Sequence, residues 1–256
     1  MNSSRKLSGH KGPVSCLKIC PESHILVSGA EDNAIRVWDL RSMRTSKCMT
    51  GCLSSDIEAI TYVADKHMLY VACTKGLYSF DLHSGGLIVK EANSEVSLNE
   101  GGDEVASIAI NVKGDMLAVA MDSGVINLLP IKANGSFCEN SGATRYKKLS
   151  RVHTNIVSTV AFKKNNPREL ISGGFDYAAC IWETDRGRPK ASTSFKALPS
   201  EDAGTEGQGG DGGGVPLQMV NPPFVMALQY VLGGRCVVAA LGDGTVRTSC
   251  CSLFLV

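Results

Sequence analysis

Ile25-Leu26-Val27-Ser28-Gly29, the turn Glu31-Asp32-Asn33 and the run Ile35-Arg36-Val37-Trp38-Asp39 decide the fold of this chain. Apolar and β-branched residues on either side of an Asp-Asn turn predict a tight antiparallel hairpin. The pattern then returns. Equivalent first strands are Leu69-Tyr70-Val71-Ala72-Cys73, Leu117-Ala118-Val119-Ala120, Leu170-Ile171-Ser172-Gly173-Gly174 and Val237-Val238-Ala239-Ala240-Leu241. Their partners are Leu77-Tyr78-Ser79-Phe80-Asp81, Ile126-Asn127-Leu128-Leu129-Pro130, Ala179-Cys180-Ile181-Trp182-Glu183 and Val246-Arg247-Thr248-Ser249-Cys250. Before each pair lies a further alternating stretch: Val14 to Ile19, Ile57 to Val63, Val105 to Val112, Ile156 to Phe162 and Phe224 to Val231. No stretch between them keeps a helical period, so the expected class is all-β.

With Trp38 as marker, the equivalent positions are Phe80, Leu129, Trp182 and Ser249, at steps of 42, 49, 53 and 67 residues. A four-stranded propeller blade repeats every ~40–45 residues, so the first step is clean and the later ones carry insertions. The expected units are 7–44, 50–85, 98–132, 149–190 and 224–247, together a propeller region 1–247. Residues 198–223 hold seven glycines from Gly204 to Gly214 among Glu201, Asp202, Glu206 and Asp211. That composition cannot bury enough apolar area to offset ordering and predicts a disordered acidic loop. Residues 248–256 read as a divergent tail.

Two units carry a buried polar set at identical spacing: His10, Ser28, Asp32 and Trp38, and His153, Ser172, Asp176 and Trp182. In each, Ser precedes Asp by four residues and Asp precedes Trp by six. The donor and acceptor inventory explains the choice. Trp only donates, Ser donates and accepts, His does one at each ring nitrogen, and ionised Asp only accepts. A Trp–Ser–His–Asp chain therefore satisfies every member. With Gly9-His10 before Trp38-Asp39, and His153 before Trp182-Glu183, the sequence resembles the WD-repeat family of β-propellers. Counting the strand units gives about four complete blades and a partial fifth. A closed seven-bladed ring needs near ~290 residues at this period, so an incomplete ring, from a truncated or alternatively spliced chain, is expected.

Other chemistries fit the residues less well. Ser172, His153 and Asp176 could be taken for a hydrolytic triad, but no Gly-x-Ser-x-Gly elbow or oxyanion donor accompanies them. The glycines 207–214 lack the Lys-Ser or Lys-Thr ending of a phosphate loop. Cys16 with Cys20, and Cys48 with Cys52, are not followed by a second ligand pair at zinc spacing. No catalytic residue, cofactor, metal or small-molecule substrate is expected.

The resemblance also covers a surface motif. Ile25, Leu26, Gly29, Ala30, Asp32, Ile35, Trp38, Asp39 and Arg41 match the box through which WD-repeat substrate receptors dock on the adaptor of cullin-4 ubiquitin ligases. It implies that Trp38 and Asp39 hold the blade edge while Arg41 meets the partner. A guanidinium there makes planar, multidentate contacts that Lys would not reproduce. The bland alternative is a common blade ending with a solvated Arg. The next unit has His83 where a second Arg would stand, and later units lack the motif. A non-enzymatic interaction scaffold is expected, similar to a ligase substrate receptor. The alternative is a peptide-binding or complex-assembly scaffold without a ligase connection.

Composition narrows the partners. Twenty-six Lys and Arg against 25 Asp and Glu leave a net charge of +1, so no field favours nucleic acid. The longest apolar runs, such as Met116 to Met121, are a third of a membrane span, and no apolar signal core follows Met1. Ten cysteines in 256 residues fall short of a disulfide scaffold. Protein partners in the cytoplasm, nucleus or both are the expectation.

Overall fold

A computed structural model describes residues 5–20, 23–53, 55–74, 76–83, 86–98, 103–138, 146–196 and 221–250. They form five sheets in chain order, whose successive strands pair antiparallel. The first holds β1 (Val14–Cys20), β2 (Ile25–Ala30), β3 (Ala34–Asp39) and β4 (Arg44–Met49). The second holds β5 (Ile57–Val63), β6 (Met68–Cys73) and β7 (Gly76–Asp81), while β8 (Ile88–Val89) leaves it to join the first sheet and β9 (Ser94–Val96) closes it. The third is β10 (Val105–Ile110), β11 (Met116–Met121), β12 (Ile126–Pro130) and β13 (Lys147–Leu149). The fourth is β14 (Thr159–Lys163), β15 (Asn166–Gly173), β16 (Ala178–Glu183) and β17 (Arg188–Ser194). The fifth has three strands, β18 (Val225–Val231), β19 (Cys236–Leu241) and β20 (Val246–Cys250).

The sheets are blades standing side by side. Innermost strands follow one another along an arc, β1 against β5, β5 against β10, β10 against β14 and β14 against β18. Four apolar cores lie between successive blades. One is built around Val27, Val37 and Leu69, the next around Tyr70, Leu117 and Leu129, then Ala118, Leu170 and Trp182, and last Ile171, Ile181 and Val237. Burial on both faces explains why the second strands read as unbroken apolar runs rather than alternating ones.

Small residues close each hairpin strand because the next blade approaches there. A Cβ on Gly29 would lie 2.6 Å from Ile57 Cγ2, and one on Gly173 would lie 2.6 Å from Leu228 Cδ1. The same contact carries a polar clamp. The Ser15 hydroxyl donates to the Ile57 carbonyl at 2.5 Å, beside the Gly29 carbonyl at 3.2 Å. Ser158 repeats it on the carbonyls of Gly173 and Val225.

The arc is open: no extensive packing joins β18 to β1 among the described residues. Register makes the consequence visible. Leu17 pairs with Ser28 as Val160 pairs with Ser172, yet Leu17 is 62% exposed and Val160 is 6% exposed. Val160 is covered by the third blade, and no blade packs on Leu17 among the described residues.

The outer strands depart most from the sequence reading. β9, β13 and the end of β17 lie beyond the units expected to stop at 85, 132 and 190, because they are short, polar strands whose order comes from pairing. The expected strand from 105 to 112 stops at Ile110, since Asn111 turns the chain by accepting from the backbone of Asp115 and Met116. Strand β14 begins at Thr159 rather than 156, because Val157 bonds back to Met121 of the preceding blade. The tail expected from 248 instead continues β20 to Cys250, paired with Cys236. Residues 251–256 lie outside the described residues, as do 197–220 of the Gly-rich stretch.

Candidate functional site

Both polar sets close as the donor and acceptor inventory requires. In the first blade Trp38 Nε1 donates to Ser28 Oγ at 2.8 Å, Ser28 Oγ lies 2.7 Å from His10 Nε2, and His10 Nδ1 lies 3.1 Å from Asp32 Oδ1. In the fourth, Trp182 donates to Ser172 at 2.7 Å, His153 Nε2 sits 2.7 Å from Ser172, and His153 Nδ1 is 3.0 Å from Asp176 Oδ2. These contacts assign His Nδ1–H as donor to the carboxylate and Nε2 as acceptor of the Ser hydroxyl.

Each Asp also accepts from two backbone amides, Lys11 and Ala34 for Asp32, Thr154 and Ala178 for Asp176. The carboxylate thus pins the entry segment before β1 or β14 to the hairpin turn. Burial pushes the Asp176 carboxyl upward, but the hydrogen bond and charge of His153 with the two amides hold it below its ordinary value. Asp32 follows the same pattern, with the Lys11 amide the largest opposing contribution. Ser172 is fully buried, and its hydroxyl proton is committed to His153. A nucleophile must reach its substrate, and this one is sealed from water.

The lower end of the first blade is different, being polar and open. Trp38 is 4% exposed, so it shapes the blade edge from inside. Asp39 ends β3 and accepts from the Arg41 amide at 2.9 Å and the Ser42 hydroxyl at 2.8 Å. Those bonds fix the turn and hold the Asp39 carboxyl below the usual carboxylate range. Arg41 is exposed, and its guanidinium lies 3.1 Å from Nδ1 of His24, in the turn between β1 and β2. His24 adopts φ 54°, which turns its carbonyl onto the Leu40 amide at 2.9 Å.

The second blade copies this arrangement with another side chain. The His83 amide donates to Asp81 at 2.8 Å, and the Leu82 amide donates to the carbonyl of His67, whose φ is 50°. The His83 and His67 rings lie 4.1 Å apart, with Tyr62 OH 3.0 Å from His67 Nδ1. His24 and His67 occupy the same place in their blades, just before the second strand. Their positive φ and common role in seating the residue at 41 or 83 come from the geometry of the loop, and the signal was their shared position before the second strand.

Other sequence candidates fall elsewhere. Cys16 and Cys20 pack in or beside the first core, and burial pushes the Cys16 thiol up. No helix is long and apolar enough to cross a membrane among the described residues.

Comparison with known proteins agrees with this architecture. The family described as "WD domain, G-beta repeat" (WD40) matches residues 1–39 and 146–183, the segments holding the two polar sets. The chain is 27% identical over 244 residues, 94% of its length, to "WD repeat-containing protein 53 homolog" of Dictyostelium discoideum, and spans 63% of that relative. It is 41% identical over 75 residues to "Periodic tryptophan protein 2 homolog" of Mus musculus, covering 29% of this chain and 8% of that one. Identity to "Small ribosomal subunit protein RACK1" of Candida albicans is 24% over 121 residues, 47% of this chain and 38% of the relative. Blade order and the duplicated Trp–Ser–His–Asp sets agree with these matches, which place WD repeats at residues 1–39 and 146–183 and make the chain similar to a WD-repeat protein over 94% of its length.

Proposed function

We propose that this WD-repeat interaction scaffold is non-enzymatic and serves as a substrate receptor of a cullin-4 ubiquitin ligase, docking on the ligase adaptor through the lower rim of its first blade. The observation that carries this reading is the preset Arg41. Its backbone is tied by Asp39 and its guanidinium is steered by His24, yet the side chain faces solvent. A preorganised guanidinium loses less freedom on binding than a mobile one and offers planar contacts to carbonyls or carboxylates. The likeness to the Dictyostelium relative extends over this blade. Such a role places the protein in the cytoplasm or nucleus, with the upper face free to present a target.

Arg41→Glu tests the reading. Affinity purification of the variant from cells is expected to lose the ligase adaptor while its melting temperature stays within about 1 °C of the parent, as for a surface substitution. Unchanged recovery of the adaptor refutes it.

A second reading, a complex-assembly scaffold unrelated to ubiquitin ligases, draws on the likeness to a relative named as a small ribosomal subunit protein. It predicts one stable assembly lacking cullin components, insensitive to Arg41→Glu.

A further inference from the structure

Leu17, Ser28, Arg36 and Cys48 form one row across the first blade, joined by register. The matching row of the fourth blade is Val160, Ser172, Cys180 and Ser192. Cys180 is fully buried against the third blade. In the first blade its place is taken by Arg36, which no blade covers among the described residues.

Arg36 borders a cavity of about 460 Å³ at the upper end of that open face. Lys11, Thr45 and Thr50 supply polar walls, and Leu87 and Ile88, 58% and 56% exposed, form an apolar lip. Nε of Arg36 is sealed from solvent and meets no acceptor among the described residues. Gly9 helps seal it, since a Cβ there would lie 2.9 Å from Nε and Cζ. Its guanidinium stands 6.0 Å from the Trp38 ring centroid, an arrangement that orients the plane without neutralising the charge. Asp32 also lines the cavity, but its oxygens already serve His10 and the amides of Lys11 and Ala34.

We propose that this cavity binds a side-chain carboxylate of a protein partner, presented in an acidic and apolar segment that covers the outer face of the first blade. Two cations beside one occupied carboxylate leave an excess of positive charge in the cavity wall. A planar guanidinium pairs best with a carboxylate through two parallel hydrogen bonds. The apolar lip and the exposed Leu17 and Ile19 set what flanks that acid. The site lies at the opposite end of β3 from Arg41, so it is independent of docking through the lower rim.

The test is selection of a random heptapeptide phage library on the immobilised full chain, followed by fluorescence anisotropy with the selected peptide. The expected result is enrichment of Asp or Glu beside Leu or Ile, with affinity falling about tenfold or more on Arg36→Cys and similarly when the peptide acid is replaced by its amide. Arg36→Lys is expected to retain part of the binding. If Arg36→Cys does not fold, Arg36→Gln and Lys11→Gln give the same readout. Peptides without acid enrichment, or equal binding to the Arg36 variants, overturn the proposal. So does displacement by inorganic phosphate together with preference for phosphoserine over glutamate, which would assign a phosphate site instead.

Discussion

Ser172 Oγ accepts the Nε1 hydrogen of Trp182 at 2.7 Å in a position closed to water. Removing that hydroxyl leaves the indole N–H and His153 Nε2 without a partner and breaks the path from β16 to Asp176. Ser172→Ala is therefore expected to cost about 1–3 kcal/mol in urea unfolding. Ser28→Ala is expected to cost less, because the His10 and Asp32 side chains retain 6% and 13% exposure against 0% and 7% for His153 and Asp176. Equal losses, or a Ser172→Ala loss near zero, would count against a load shared along the chain.

Acid should act on the same set. The Asp176 carboxyl is held below its ordinary value of 3.8 in the folded chain despite the upward push of burial. A depressed folded value means that the unfolded chain takes up the proton first on acidification. The stabilisation is thus fully present above the unfolded value and is lost as pH falls through the folded one. Asp176→Asn should flatten the dependence of melting temperature on pH below about pH 4, while lowering the melting temperature at pH 7. A variant with an unchanged acid limb would show that other carboxylates set it.

How much of this was legible in the sequence depends on whether a residue's role is local. Ser, Asp and Trp recur at fixed offsets because each set is built within one hairpin, so both were visible before any coordinate. Arg36 was not. It occupies a strand position that reads as ordinary, and only cross-strand register shows that it stands where Cys180 does in the fourth blade. The parallel pairing of β8 with β4 was likewise invisible, since Ile88 and Val89 leave their own blade to reach the edge of the preceding one. The box ending in Arg41 could be read in order, but the contribution of His24 comes through a turn seventeen residues earlier.

Glu169 is a second nonlocal case. It is 5% exposed and meets Lys163 at 2.7 Å, Lys190 at 3.3 Å and Tyr230 OH at 3.4 Å. Burial raises its carboxyl, and the bond and charge of Lys163 with those of Lys190 bring it below its ordinary value. Tyr230 belongs to β18, so the carboxylate ties the fourth blade to the fifth. Glu169→Gln should cost about 1–3 kcal/mol, discounted from a fully buried pair because Lys190 is half exposed. In a double-mutant cycle with Lys163→Met the coupling should exceed about 0.5 kcal/mol. Additivity of the two substitutions would show that the pair contributes nothing beyond its separate packing.

The open face of the first blade makes the sharpest contrast between equivalent residues. Val160→Asp places a charge in the core between the third and fourth blades and should unfold the chain or lower its stability by more than about 3 kcal/mol. Leu17→Asp alters the matching position, which no blade covers among the described residues, and its cost should stay within about 0.5 kcal/mol. The effect of Leu17→Asp should appear instead in solution behaviour. Leu17, Ile19 and Val14 expose apolar surface on one face of the first blade, a face prone to self-association. Light scattering across a concentration series should show the parent growing in mass and Leu17→Asp remaining smaller. If Leu17→Asp destabilises the chain as Val160→Asp does, Leu17 is covered in solution and the first blade has a partner already in place.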